Sequence, residues 1–251
     1  MSKREPWQGM MTIILLNWPF YVAAVVVAVL AAAGIFVMEG GWWKLGCALA
    51  LAGALYFLII SSGVSHWVYD RSDLYRWKWL GRVFGENKIE HAIFCHAGFD
   101  EASESLWEHF PECAWVVLDH YDETRMSEPS IRRARRLFPP TAETLDAAFD
   151  RWPTDDESAD AVLGLLAIHE LRSEDERAAW FAEARRCLRP GGRVVVAEHT
   201  RDAANFLAFG PGFLHFHSVA SWQRSWERSG LLMAESFRVT PWIRIFILTR
   251  S

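Results

Sequence analysis

Residues 91–103, HAIFCHAGFDEAS, run from an apolar hexapeptide through a turn holding one glycine into the helical-looking SESLWEHF. A strand, a tight turn and a helix in that order is where α/β folds bring backbone close to a nucleotide. A dinucleotide loop reads G-x-G-x-x-G, whereas Gly98 stands alone here, and Asp100 and Glu101 would repel a pyrophosphate. The same acids suit a sulfonium or an α-amino group. The next apolar run, AWVVLD, ends in Asp119, 21 residues after Gly98, where a carboxylate can accept hydrogen bonds from ribose hydroxyls.

Outward from this turn the chain alternates strand and helix. Strands are expected at 91–96, 114–119, 159–168 and 191–199, the last after a Pro-Gly-Gly turn. Helices are expected at 101–110, 127–138, 174–188 and 219–230, and two further strands near 232–239 and 243–250 close the chain. Such alternation predicts a mostly parallel sheet covered on both faces, with its ligand beyond the carboxyl ends of the strands.

The first 70 residues follow another rule. No Asp, Glu, Lys or Arg occurs from Pro6 to Met38, nor from Leu45 to Tyr69. Each run exceeds the roughly 20 apolar residues that cross a bilayer as a helix, so two transmembrane helices are expected, at about 12–38 and 45–66. Asn17 and Pro19 lie inside the first, where a kink or a short unspanned segment near Pro19 leaves the topology unchanged. Trp7, Trp18, Trp42, Trp43, Trp67 and Tyr69 lie near the ends of the runs, as in an aromatic belt. Lys3 and Arg4 precede the pair, and Arg71, Arg76, Lys78 and Arg82 follow it, which predicts cytoplasmic flanks and an external EGGWWK turn. The basic, aromatic segment 71–82 suits an anionic leaflet, and 65–80 is expected as an interfacial helix that joins the second span to the following domain.

A net charge of −5 lacks the basic footprint that nucleic-acid binding requires. The cysteines Cys47, Cys95, Cys113 and Cys187 have no C-x-x-C spacing, so neither a disulfide framework nor a zinc site is expected.

With the turn after the first strand, Asp119, the stretch WPTDDESADAVLGLLAIHEL (152–171) and the stretch EARRCLRPGGRVVVAEH (183–199), the chain from about 85 onward resembles the class I S-adenosylmethionine-dependent methyltransferases. The helix, RPGG and strand sequence is the most specific match. The first motif departs from the family, which usually has an acidic residue and three small glycine positions there. The resemblance implies a Rossmann-like α/β sheet of seven strands with helices on both faces, occupying 84–251 behind a membrane hairpin and linker at 1–83. It implies S-adenosyl-L-methionine as cofactor, held by Gly98, Asp100, Ser103, Asp119 and His120. A helix before the first strand often lids the cofactor in such enzymes, which would bring Tyr69, Asp70 and Tyr75 to the methionine end.

At the expected active edge, His169 and Glu170 follow the fourth strand of that fold, and Glu198, His199, Arg201 and Asp202 follow the fifth. His169 is the first candidate for a general base and His199 the second, with Glu170 or Glu198 orienting the imidazole. Arg172 and Arg201 read as loop-fixing ion-pair partners. The segment NFLAFGPGFLHFH (205–217) reads as a Gly/Pro- and Phe-rich loop, with Asn205, Phe209, His215 and Phe216 as acceptor-binding candidates. The pair His215 and His217 lacks an evident third ligand, so no metal is expected. The helix at 126–140 reads as solvated, with Arg132, Arg133, Arg135 and Arg136 available to lipid phosphates.

These readings converge on a methyltransferase at the cytoplasmic face of a membrane. Its partners are the lipid bilayer and a hydrophobic or lipid-like small-molecule acceptor, because two spans add little for a soluble one. The alternatives are a catalytically silent methyltransferase-like scaffold and an NAD(P)-dependent reductase, the latter lacking both G-x-G-x-x-G and Tyr-x-x-x-Lys.

Overall fold

The computed structural model describes residues 5–85 and 88–250; Lys3 and Arg4, on which part of the charge argument rests, lie outside them. Contacts group the chain into two compact units, Met1–Ser72 with Ala203–Gly212, and Asp73–Asp202 with Phe213–Ser251.

In the first unit, α1 (Gln8–Leu16) and α2 (Trp18–Val37) replace the single span expected over 12–38. The break falls at Asn17, whose side chain bonds back to the Ile13 carbonyl (3.1 Å). Pro19, which has no N–H to donate, opens the second helix. The next helix, α3 (Gly41–His66), is longer than expected and runs into a π-turn, Trp67–Arg71. The most apolar 18-residue windows within Trp18–Val37 and Gly41–Arg76 have mean hydropathies of 2.7 and 2.1, yet only 11% and 17% of those windows are buried. The core helix of a soluble protein hides its apolar face; these leave Phe20, Val29, Leu30, Leu49 and Ile59 exposed. Gly34 lets α2 and α3 approach, since a Cβ there would meet Cys47 Sγ at 2.6 Å. A buried Tyr21–Ser61 hydroxyl pair (3.1 Å) ties the same helices together. Asp70 caps α1 across the unit, accepting from the N–H groups of Gly9 (2.6 Å) and Met10 (3.0 Å). His66 bonds the same carboxylate and stacks on Trp7.

The second unit starts with a 3-10 turn, Leu74–Arg76, and α4 (Lys78–Phe84), in place of one continuous interfacial helix. There follow β1 (His91–His96), α5 (Ser103–His109), β2 (Ala114–Asp119), α6 (Pro129–Leu137), β3 (Thr144–Asp146), β4 (Ala159–Leu165), α7 (Glu174–Cys187) and β5 (Leu188–His199). The chain then forms α8 (Ala203–Phe209), which groups with the first unit, before α9 (Val219–Arg228), β6 (Leu231–Arg238) and β7 (Ile243–Arg250) complete the second. The sheet order is β3-β2-β1-β4-β5-β7-β6, with β7 alone antiparallel to both neighbours. The order reverses between β1 and β4, so the crevice for a ligand opens beyond their carboxyl ends.

Three local readings need correction. Most of the loop expected at 205–217 is helical, made of α8, Ala203–Phe209, and a 3-10 helix, Gly210–His215. The RPGG element interrupts β5 instead of preceding it: Ala159 pairs with Leu188 and Ala161 with Arg193, so Arg189–Gly192 loop out as a bulge. At Gly192 a Cβ would meet the Asp160 carbonyl at 2.9 Å, which explains the glycine. The short β3 gave no strand pattern, because two of its three residues are exposed and it has only one neighbour.

The core of this unit is aromatic. Trp180 and Phe181 of α7, Trp222 and Trp226 of α9, and Phe246 of β7 are all under 2% exposed and meet edge to face or tilted. Each such ring contributes about 2–3 kcal/mol by burial. Helix α7 starts with a capping box, Ser173 and Glu176 each bonding the other's backbone N–H.

Candidate active site

Two groups of polar side chains gather at the carboxyl ends of the central strands. The first surrounds the β1 turn. Gly98 has φ +82°, and a Cβ there would lie 2.7 Å from Tyr121 Cδ2. A side chain is therefore excluded both by backbone conformation and by space. Asp119 is fully buried; its Oδ1 accepts from Gly98 N–H (2.7 Å) and Tyr121 N–H (3.0 Å), and its Oδ2 is held by the Arg135 guanidinium. Arg135 also lies over the Tyr121 ring, 5.1 Å from its centroid. Asp100 accepts from the N–H groups of Ala102 and Ser103 (3.0 Å each) and from the Ser103 hydroxyl, which starts α5. Tyr75 reaches this turn, its hydroxyl donating to Glu101 Oε2 at 2.8 Å.

His120 bonds the Ala147 carbonyl (2.9 Å) and stacks on Trp152. Burial lowers its pKa to about 4. The ring nitrogens of His96, and Nε2 of His120, are buried without a hydrogen-bond partner among the described residues; His96 Nδ1 is 3.5 Å from Asp119 Oδ1 but out of bonding geometry. Orphaned polar atoms beside a left-handed glycine and a buried carboxylate fit a polar nucleoside-type ligand. Gly98, Asp119, His120 and the α5 turn with Asp100 and Ser103 are the residues that would hold it.

The second group follows β4 and β5. Glu198 of β5 is completely buried. Its Oε1 accepts from Ile168 N–H (2.9 Å) and His169 N–H (3.2 Å), and its Oε2 takes His169 Nδ1 at 2.7 Å. This fixes the imidazole with Nε2 turned away, 3.6 Å from Glu170 Oε1. His215 approaches from the other side, its Nε2 3.5 Å from the same Glu170 oxygen and its Nδ1 3.0 Å from Glu128 Oε1. Burial opposes its charge, but Glu128 and Glu170 outweigh that and lift its pKa to about 9.

His217, two residues on, faces elsewhere, with Nε2 3.1 Å from the His169 carbonyl and 3.0 Å from Arg177. Burial, reinforced by the Arg177 and Arg172 cations, lowers its pKa to about 3. His199 is buried and stacked on Phe216, centroids 4.7 Å apart. Arg172 donates to the carbonyls of His169 (3.2 Å) and His215 (2.5 Å), and Arg201 to those of Leu214 (2.7 Å) and Phe216 (2.8 Å). These arginines thus hold their segments through backbone carbonyls, and the Arg172 charge also acts on Glu128 and Glu170. Of the remaining candidates, Asn205 (fully buried) and Phe209 lie on α8, and Tyr69 on the π-turn, all in the first unit.

Sequence reasoning missed Arg135, Glu128 and Tyr121. Arg135 sits in the run RRARR, which gives no sign that one arginine of the helix turns inward to a carboxylate 16 residues earlier.

The methyltransferase-domain family profile matches residues 108–196, from α5 through most of β5. No curated protein matches the chain in sequence. Among solved structures, mitomycin 7-O-methyltransferase is similar over 98% of this chain and 73% of its own, with a TM-score of 0.57 at 13% identity. An S-adenosylmethionine-dependent methyltransferase of Aquifex aeolicus (13% identity) and a protein of Pyrococcus horikoshii OT3 (14% identity) each align over 70% of this chain and 90% of their own, both with TM-scores of 0.50. The fold is that of the class I methyltransferases, a Rossmann-like seven-stranded sheet. S-adenosylmethionine is the cofactor that this domain and fold support.

Proposed function

We propose that this protein is a membrane-anchored, S-adenosylmethionine-dependent methyltransferase, its catalytic domain cytoplasmic, that acts on a hydrophobic or lipid-like small molecule. The observation that carries the acceptor class is the segment just after β5. Within four residues of His199 the chain enters α8, which groups with the apolar helices, and Tyr56 of α3 donates to the Leu207 carbonyl at 2.8 Å. Phe206 and Leu207 of α8 are about half exposed, as are many residues of α2 and α3. A segment that follows a strand at the active edge and presents apolar side chains beside bilayer-length helices suits an acceptor drawn from the membrane.

The bound cofactor would supply an electrophilic methyl group on a cationic sulfur. The protein's part is to orient the acceptor and to remove a proton where the acceptor is a phenol, thiol or amine. His169 suits that task, because Glu198 holds Nδ1 and the lone pair of the neutral ring then lies on Nε2, 3.6 Å from Glu170 Oε1. His199, stacked and buried, is the second candidate, and Glu170 tunes the imidazole it faces.

A second reading, a catalytically silent methyltransferase-like membrane protein, draws on two contacts. Arg135 already occupies Asp119 Oδ2, and Asp100 already occupies the α5 N–H groups. Calorimetry with S-adenosylhomocysteine on detergent-solubilised protein, followed by transfer of a labelled methyl group to a membrane-lipid extract, separates the readings. Binding and label in the organic phase are expected. Absent heat removes the enzyme, and label confined to water-soluble acceptors removes the lipid-like substrate.

A further inference from the structure

We propose that His169, His215 and Glu170 form a site for a divalent transition-metal ion of the zinc type. One ligand atom from each of the three lies within 4.8 Å of the others. Both imidazole Nε2 atoms converge on a single oxygen, Glu170 Oε1, at 3.6 and 3.5 Å. In a tetrahedral zinc site with ligands at about 2.0–2.1 Å, neighbouring donor atoms stand roughly 3.3 Å apart. The two histidine-to-glutamate spacings are thus near the required values before any ion enters. The imidazole rings meet edge to face with centroids 5.0 Å apart, so a small approach of His215 completes the triangle.

Carboxylates behind the ligands strengthen the argument. Histidines that bind metals commonly donate their other ring N–H to a carboxylate, which fixes the tautomer and raises the basicity of the ligating nitrogen. Both histidines have that arrangement, His169 Nδ1 on Glu198 (2.7 Å) and His215 Nδ1 on Glu128 (3.0 Å). A pair of imidazoles and a carboxylate suits zinc or a neighbouring first-row ion better than magnesium or calcium. Arg172 lies 3.5 Å from His215 Nδ1 and its charge opposes a cation, but three carboxylates, Glu128, Glu170 and Glu198, surround the rings. His215 keeps 23% of its side chain exposed, which leaves a path for the ion, and three protein ligands leave a fourth position for water or an acceptor oxygen.

The ligands come from the turn after β4 and from the 3-10 helix before α9, which explains why H-x-H spacing missed them. His215 pairs with His169, 46 residues away, and not with His217.

Metal loading is measured without cofactor or acceptor, so the inference stands apart from the methyltransferase reading. One lone pair serves one partner: with the ion bound, His169 Nε2 is a ligand and not a base. The full chain, purified in detergent without a polyhistidine tag, would be stripped with a chelator and titrated with Zn2+ against a chromogenic competitor. Retained metal would be counted by mass spectrometry. One tightly held zinc per chain is expected. His215→Ala and Glu170→Gln should each weaken it by about 100-fold, and Glu128→Gln by about 10- to 100-fold, the range for a carboxylate behind a ligand. The exposed His109→Ala should bind like the parent. Absence of a stoichiometric zinc, or parent-like affinity in folded His215→Ala and Glu170→Gln, overturns the site. Those two positions decide the matter even where the more buried His169→Ala fails to fold.

Discussion

Arg135 of α6 closes on Asp119 at the end of β2, the carboxylate fully buried and the guanidinium one quarter exposed. In the proposed reading this pair lies at the ribose of the bound cofactor. Asp119 Oδ1 is taken by two backbone N–H groups, so Oδ2 is the oxygen for which Arg135 and a ribose hydroxyl would compete. Asp119→Ala should weaken S-adenosylhomocysteine binding by about 1.5–3 kcal/mol, the value of hydrogen bonds to a charged group. Arg135→Gln should do the reverse and tighten binding up to about fivefold, since a partly exposed ion pair is worth about 1 kcal/mol or less. Calorimetry checks both signs; a loss in Arg135→Gln would mean that the arginine contacts the ligand.

Gly98 sets the turn beneath this pair. Gly98→Val should destabilise the domain by more than 2 kcal/mol, combining about 1–2 kcal/mol of left-handed strain with overlap on Tyr121. Tyr121→Ala in the same chain should recover the overlap but not the strain. Thermal unfolding of the three variants gives the comparison, and full recovery in the double variant would refute the backbone part.

His120 makes a pH prediction with a definite sign. Its folded pKa, about 4, lies below the ordinary 6.5 because burial disfavours the cation. Above pH 6.5 the ring is neutral in both folded and unfolded chains and costs nothing. Between 6.5 and 4 the unfolded chain takes up the proton first, so stability falls with pH, by about 3 kcal/mol at the end of that window. His120→Asn should flatten this part of the profile measured by thermal unfolding; an unchanged slope would assign the loss to other groups.

The proposed membrane hairpin, with its basic flanks inside, makes a topological prediction. A reporter fused at Gly41 should register outside the cytoplasmic membrane, and one fused after residue 251 inside it. A cytoplasmic signal at Gly41 would refute the hairpin.

The catalytic proposal predicts unequal histidines. In the metal-free protein His169→Ala should leave cofactor affinity within a few fold while methyl transfer falls about 10²–10⁴-fold, the range for a positioned acid–base group. His199→Ala should lose less, since its ring is stacked on Phe216. Equal small losses would leave orientation alone as the source of rate.

Local order was legible in the sequence where a single segment suffices. The apolar runs that became β1, β4 and β7 are buried over most of their length and that of β2 over its second half, and burial on both faces requires continuous apolar sequence. The start of α7 was legible because Ser173 and Glu176 are three residues apart and bond each other. That two apolar helices of bilayer length exist needed only a count of uncharged residues, whereas the break at Asn17 and the early start of α3 at Gly41 did not show in that count. Tertiary structure alone decided what depends on distant partners. β3 became a strand because β2 offered it an edge, and α8 formed where glycine, proline and phenylalanine had suggested a loop. Arg135 left the solvated face of its helix for a buried carboxylate that no periodicity reveals. His215 and His217 look alike in sequence, but burial between separate partners, Glu128 and Glu170 for one and Arg177 for the other, drives their charges in opposite directions. Charge and ligation depend on which atoms lie within a few ångströms, and here those atoms are supplied by residues some 40 to 90 positions away.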